Sequence, residues 1–166
     1  MEIERKFLID WEEINNLNLP LVKQAESWQG YLSAATPVVR IRKRDFTDGH
    51  TDYILCIKGK GKLARQEIEK ELTKDEFEAL ESLLPIPMLH KDYRVFALED
   101  GHQLECNLVD GKFAYAEVEF DSIEEAKAFV MPQFLHKDVT EDPYYSMSGY
   151  WKRKPKRKGD ERWRRT

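Results

Sequence analysis

The chain has 166 residues, 41% hydrophobic and 35% charged, with a formal net charge of −4. That length fits one domain with a real core. No apolar run is long enough to span a membrane, and no signal peptide is expected. The charge is asymmetric: residues 151–166 hold nine Lys/Arg against two acids, so the acidic surplus lies wholly in residues 1–150. An acidic body with a basic tail argues against a general nucleic-acid binder.

In chain order, residues 2–9 of MEIERKFLI alternate charged and apolar side chains and read as a strand. Residues 11–25 read as a short helix or irregular segment broken at Pro20. Trp28–Ser33 and Val38–Arg44 read as strands joined through a turn containing Pro37. Asp48-Gly49 marks a hairpin turn before Tyr53–Lys58. GKGK at 59–62 is a loop, and 65–72 reads as a strand. Thr73 with Glu76 forms a capping box that opens a helix over 74–84, ended by Pro85 and Pro87. Strands follow near 89–98, 103–109 and 113–120, turned by Asp100-Gly101 and Asp110-Gly111. Ser122 with Glu125 opens a helix over 123–130, and a short helix is expected around 144–153.

This pattern is an antiparallel α+β protein, and eight hairpin-linked strands are enough to close a barrel. Side chains two apart share a face. Glu2, Glu4 and Lys6 then stand together, as do Arg40, Arg42 and Arg44; Arg65, Glu67, Glu69 and Glu71; Glu105 and Asn107; and Tyr115, Glu117 and Glu119. Lys58 joins them from YILCIK. Each row alone reads as a solvated face. Together they pose a problem of repulsion: three E-x-E pairs want cations, and a row of arginines wants an anion. A sheet closed with its ionic face inward answers both demands. Carboxylates suit Mg²⁺ or Mn²⁺, and arginines and lysines suit phosphoryl oxygens, so the expected ligand is a nucleotide or polyphosphate with its metal.

MEIERKFLI, followed in order by WQGYLS, VVRIRKR, ILCIKGKG, RQEIEKEL, LHKDYRVF, AYAEVEF and FLHKDVTEDPYY, resembles the CYTH superfamily, the triphosphate tunnel metalloenzymes, over roughly residues 1–150. The resemblance implies an eight-stranded antiparallel β-barrel forming a closed polar tunnel, helices packed outside, and a short C-terminal helix at the tunnel mouth. It implies a divalent-metal-dependent phosphohydrolase acting on a short triphosphate, with inorganic triphosphate as the leading substrate. Carried over residue by residue, Glu2, Glu4, Glu117 and Glu119 would hold Mg²⁺ or Mn²⁺. Lys6, Arg40, Arg42, Lys58, Arg65 and Lys91 would grip phosphates, joined by Arg94 if a bulge re-aims it from the face opposite Lys91. Glu67 or Glu69 would activate water, and Lys6 or Lys91 would protonate or stabilise the leaving phosphate. Asn107 stands where the family has a metal-associated Asp, and Asp138 replaces the Glu of an E-V-T motif. The competing readings are a class IV adenylyl cyclase, converting ATP to cyclic AMP and pyrophosphate, and a non-catalytic binder of a phosphorylated ligand.

Other features carry less. Cys56 and Cys106 form no CxxC pair and read as buried hydrophobes in a reducing, cytoplasmic setting. His50, His90, His102 and His136 show no zinc-ligand spacing. GKGKL lacks a P-loop frame; it is a hairpin tip or brings Lys60 or Lys62 near a tunnel mouth. The basic tail, 151–166, reads as a solvated extension pinned by Trp151 and Trp163. A monomer or homodimer is expected.

Overall fold

The computed structural model describes residues 1–154; residues 155–166, with Pro155, Gly159 and Trp163 of the predicted tail, lie outside the described residues. The long strands are β1 (Glu2–Leu8), β2 (Leu21–Ser33), β3 (Val38–Phe46), β4 (Thr51–Lys58), β7 (Leu89–Ala97), β8 (Gln103–Val109) and β9 (Phe113–Glu119). Shorter pieces are β5 (Ala64–Arg65), β6 (Glu67–Glu71) and β10 (Lys137–Asp138). Every pairing is antiparallel, in the order β10-β1-β9-β8-β7-β2-β3-β4-β6.

Closure comes from the segment 64–71. It is broken at Gln66, so that β6 pairs with β4 while β5 pairs with β1 through Glu2↔Arg65 and Ile3↔Ala64. Counting β5 and β6 as one broken strand gives the eight expected wall strands. The two-residue β10, on the outer edge of β1, makes a ninth that sequence patterning does not reveal.

Four helices attend the barrel: α1 (Trp11–Asn16), α2 (Lys74–Glu81), α3 (Ile123–Ala128) and α4 (Met147–Arg153), the last preceded by a 3-10 turn at Pro143–Tyr145. The caps of α2 and α3 are the ones expected from the sequence. Glu76 N–H donates to Thr73 Oγ1 (3.1 Å) while Thr73 N–H donates to Glu76 Oε1 (2.9 Å), closing the capping box of α2. Glu125 N–H donates to Ser122 Oγ at 3.0 Å. Two helices are shorter than expected. α2 stops at Glu81 instead of residue 84, and α3 at Ala128 instead of 130. At the latter end Arg5 Nη1 donates to the carbonyls of Ala126 and Phe129, both at 2.9 Å, taking the bonds that a continued helix would use.

The largest departure is β2, which starts at Leu21 and not at Trp28. Residues 21–27 (LVKQAES) carry helix formers, yet they lie between two partners, with Ala25 opposite both Phe46 of β3 and Tyr93 of β7. Ladder bonds on both edges override local propensity. The β8–β9 turn follows its sequence closely. Asp110 and Gly111 have φ of 50° and 67°, the paired left-handed conformations of a two-residue hairpin.

The apolar core lies outside the barrel wall. Phe7, Leu104, Cys106, Ala116 and Val118 project outward and pack under Ile14 of α1, Ala126 of α3, Phe129 and Leu135. Burial of each large side chain contributes about 1.5–3 kcal/mol, which offsets the cost of an interior left to charged groups. A second cluster joins Tyr31, Leu89 and Tyr115 to Met147 and Trp151, fixing α4 over one end of the barrel. Trp151, which the charge pattern assigns to the tail, is thus a core residue of α4. Both cysteines are buried and free. No helix among the described residues is long and apolar enough to cross a membrane.

Candidate active site

The strand period turns seven acidic and seven basic side chains into the barrel, where they line one tunnel. β1 supplies Glu2, Glu4 and Lys6; β3 supplies Arg40, Arg42 and Arg44. β4 gives Lys58, the segment 64–71 gives Arg65, Glu67 and Glu69, and β7 gives Lys91. β8 and β9 complete the wall with Glu105, Asn107, Tyr115, Glu117 and Glu119. All but one of the side chains expected at the site meet there.

The exception is Arg94. β7 pairs with β8 in unbroken register from Lys91↔Val109 to Ala97↔Gln103, so no bulge intervenes and residues three apart point to opposite sides. Arg94 faces outward. It donates to Asp92 (Nε–Oδ1 3.2 Å, Nη2–Oδ2 3.1 Å) and to Asn15 Oδ1 (2.7 Å), and lies over the Trp11 ring. Its inward neighbour is Tyr93, whose hydroxyl donates to Glu105 Oε1 at 2.6 Å.

Sequence reasoning also passes over Ser27, Gln29 and Tyr31, which alternate on β2 and enter the tunnel, and Ser146 and Ser148 at the N-terminal end of α4. The signal is present in WQGYLS: Gln29 and Tyr31 share a face. Without charges, that face does not stand out.

Glu2 is the hub of one ion-pair network. Lys58 Nζ donates to both of its oxygens at 3.1 Å, Arg65 Nε approaches at 3.4 Å, and Lys58 also reaches Glu67 at 3.4 Å. Lys6 Nζ lies 4.0 Å from Glu117 and donates to the Tyr145 carbonyl at 3.2 Å. Lys91 Nζ donates to Tyr115 Oη at 2.6 Å.

Carboxylates of Glu2, Glu4 and Glu119 each bring an oxygen within 4.8 Å of the other two. Burial, and then Glu117, push Glu4 well up. Burial and the carboxylates of Glu105, Glu2 and Glu117 push Glu119 to about 7. Such mutual repulsion is what a bound divalent cation relieves, and an all-oxygen donor set suits a hard ion. Glu117, expected among these ligands, is set apart. Burial would raise it, but Lys6, a hydrogen bond with Glu4, Lys91 and Lys58 outweigh that and hold it low. A second group joins Cys56 Sγ to the carboxylates of Glu67 and Glu69 within the same 4.8 Å limit.

The basic wall is under-satisfied. Arg40 Nε and Arg42 Nε are buried with no hydrogen-bond acceptor, as is Gln29 Oε1 with no donor. Burial, with Arg40 and Arg44 alongside, lowers Arg42 to about 10. Burial likewise drives the Lys91 ammonium well below its usual range. Desolvated cations with free donors are suited to a multiply charged anion.

No family model matches the chain. It is similar to the inorganic triphosphatase of Nitrosomonas europaea, 32% identical over 147 residues that cover 87% of this chain and 92% of that protein. The crystal structure of an inorganic triphosphatase superposes with a TM-score of 0.58 at 28% identity, covering 90% of this chain and 93% of that one. A conserved hypothetical protein from Pyrococcus furiosus gives a TM-score of 0.59 at 28% identity, over 76% and 84% of the two chains.

Proposed function

Because the chain belongs to the triphosphate tunnel metalloenzymes, the family of the inorganic triphosphatases, we propose that it hydrolyses inorganic triphosphate to phosphate and pyrophosphate with Mg²⁺ or Mn²⁺ as cofactor. The observation that carries this reading is the enclosed wall of arginines and lysines with unpartnered buried donors, set opposite a three-carboxylate cluster.

Phosphoryl transfer depends on positioning and charge neutralisation more than on covalent chemistry. Arg40 and Arg42 take phosphate oxygens with their free donors, and Lys58 and Arg65 add charge beside them. Glu2, Glu4 and Glu119 would hold the metal. That ion supplies charge neutralisation on the phosphate oxygens.

Glu67 and Glu69 line the tunnel next to the basic row and serve to orient a water and accept its proton as its oxygen bonds to the terminal phosphorus. The P–O bond to the bridging oxygen breaks, and pyrophosphate leaves with that oxygen and its electron pair. Lys91 is suited to protonate the leaving oxygen, because burial weakens its hold on the proton. Lys6 and Lys58 keep Glu117 charged and in place. The neutral Asn107 is buried in the wall, and Glu105 stands two residues away on the same face. Two free, buried cysteines suit a cytoplasmic enzyme.

Metal-dependent phosphate release from inorganic triphosphate is the direct test. Release without metal, or none with it, overturns the reading.

A further inference from the structure

The tunnel does not end at the bulk surface. One mouth widens into a cavity of about 450 Å³, continuous with it through Glu4, Lys6, Val38, Arg65, Ser146 and Ser148. The far wall of this vestibule is the 59–62 loop, a motif with no part in the chemistry above, together with Lys152 of α4.

The loop is held at the mouth by the backbone. Glu4 N–H donates to the Leu63 carbonyl at 3.0 Å, and β5 closes onto β1 directly after it. Gly61, with φ of 129°, permits the tight return. A Cβ there would come within 2.1 Å of the Ala64 carbonyl oxygen.

The charge of the vestibule is one-sided. Lys60, Lys62 and Lys152 join Lys6 and Arg65, against only Glu4 and Asp142. Lys6 and Arg65 are already matched by Glu117 and Glu2. Lys60, Lys62 and Lys152 are exposed, and none has a carboxylate within ion-pair reach among the described residues. The rest of the lining is Ala, Thr, Val, Gly, Pro and Ser. Among the described residues, no aromatic ring lines it for a nucleobase to stack on. A flexible anion with repeated charges fits this wall, and a nucleoside does not.

We propose that the vestibule receives the phosphates of a linear inorganic polyphosphate that extend beyond those held in the tunnel, so that chains of four or more phosphates are bound and used. The proposal rests on the triphosphatase reading for turnover, but not for binding.

The test compares tripolyphosphate, tetrapolyphosphate and ATP on wild type, Lys60→Gln, Lys62→Gln, Lys152→Gln and the triple variant. Binding is measured calorimetrically with chelator present, and kcat/KM with metal. Each single change weakens tetrapolyphosphate by roughly two- to fivefold, the range of an exposed ion pair, and the triple variant by about tenfold or more. Tripolyphosphate stays within about twofold, since the tunnel is untouched. Equal losses for the two anions reduce the lysines to general steering and overturn the proposal, as does no loss for either. Losses confined to ATP assign the vestibule to a nucleoside and overturn it too. Failure to hydrolyse tripolyphosphate removes the triphosphatase reading alone, because the chelator arm still reports the vestibule.

Discussion

Glu4 on β1 and Glu119 on β9 are register partners across an antiparallel ladder, which puts two carboxylates far apart in sequence on one wall. With Glu2 they form the oxygen cluster assigned to the metal. Outer-shell partners of metal ligands alone are worth about 10–100-fold in metal affinity. Glu4→Gln and Glu119→Gln are therefore expected to raise the metal concentration for half-maximal activity by about 10-fold or more. Titration of Mg²⁺ and Mn²⁺ against phosphate release checks this. An unchanged midpoint in both variants removes the cluster from the metal's coordination.

Arg42 and Arg94 offer a paired contrast. The first is buried in the tunnel with a free Nε; the second is outside, bonded to Asp92 and Asn15. Arg42→Gln should cost roughly 1.5–3 kcal/mol of substrate interaction, the range for a hydrogen bond to a charged group, read as a loss in kcat/KM of about 10- to 100-fold. Arg94→Gln should leave kcat/KM within about twofold and cost about 1 kcal/mol of stability by lost side-chain bonds. Kinetics and thermal unfolding on both variants separate the two positions.

Lys91 should shape the pH profile. Burial lowers its pKa first, Glu117 partly restores it, and Arg40, Lys6 and Arg42 lower it further. A reaction that needs the protonated amine loses rate as pH rises through this depressed value. The alkaline limb of kcat/KM, which reports the free enzyme, should then fall well below the ordinary lysine range. Lys91→Arg retains charge and should slow the reaction while removing that limb. An unaltered limb in the variant assigns the ionisation elsewhere.

Asp110 ties α4 to the β8–β9 hairpin. It accepts from His90 N–H (2.8 Å), Tyr150 Oη (2.6 Å) and Lys154 Nζ (3.0 Å). Burial would raise its pKa, but these donors lower it overall. Its contribution to stability is therefore present above the unfolded-state value and lost as pH falls through the folded one. Asp110→Asn should cost about 1–3 kcal/mol near neutrality, roughly 2–4 °C in Tm per kcal/mol, and the difference from wild type should shrink in acid. Melting curves across acid and neutral pH read it directly.

Much of this was legible because ionic rows obey the strand period. Glu2, Glu4 and Lys6 in MEIERKFLI, Arg40 and Arg42 in VVRIRKR, and Glu117 and Glu119 in AYAEVEF all face the tunnel. Capping boxes and Asp-Gly turns located the helices and hairpins for equally local reasons. What stayed hidden depends on distant partners. Residues 21–27 become strand only between β3 and β7. The break at Gln66 that closes the barrel is set by β1 and β4 pulling on different halves of one segment. Gln29 and Tyr31 are polar without charge, so their inward direction left no imprint that a charge pattern would reveal. Arg94 entered through its likeness to a family motif, on condition of a bulge, and the unbroken register of β7 excludes it by parity.

The most direct measurement follows phosphate and cyclic AMP from inorganic triphosphate, ATP, GTP and thiamine triphosphate, each with Mg²⁺, with Mn²⁺ and with chelator. The account predicts phosphate release that is fastest from inorganic triphosphate, absent with chelator, and unaccompanied by cyclic AMP. Cyclic AMP from ATP, or binding of every triphosphate with no phosphate released from any, would contradict it.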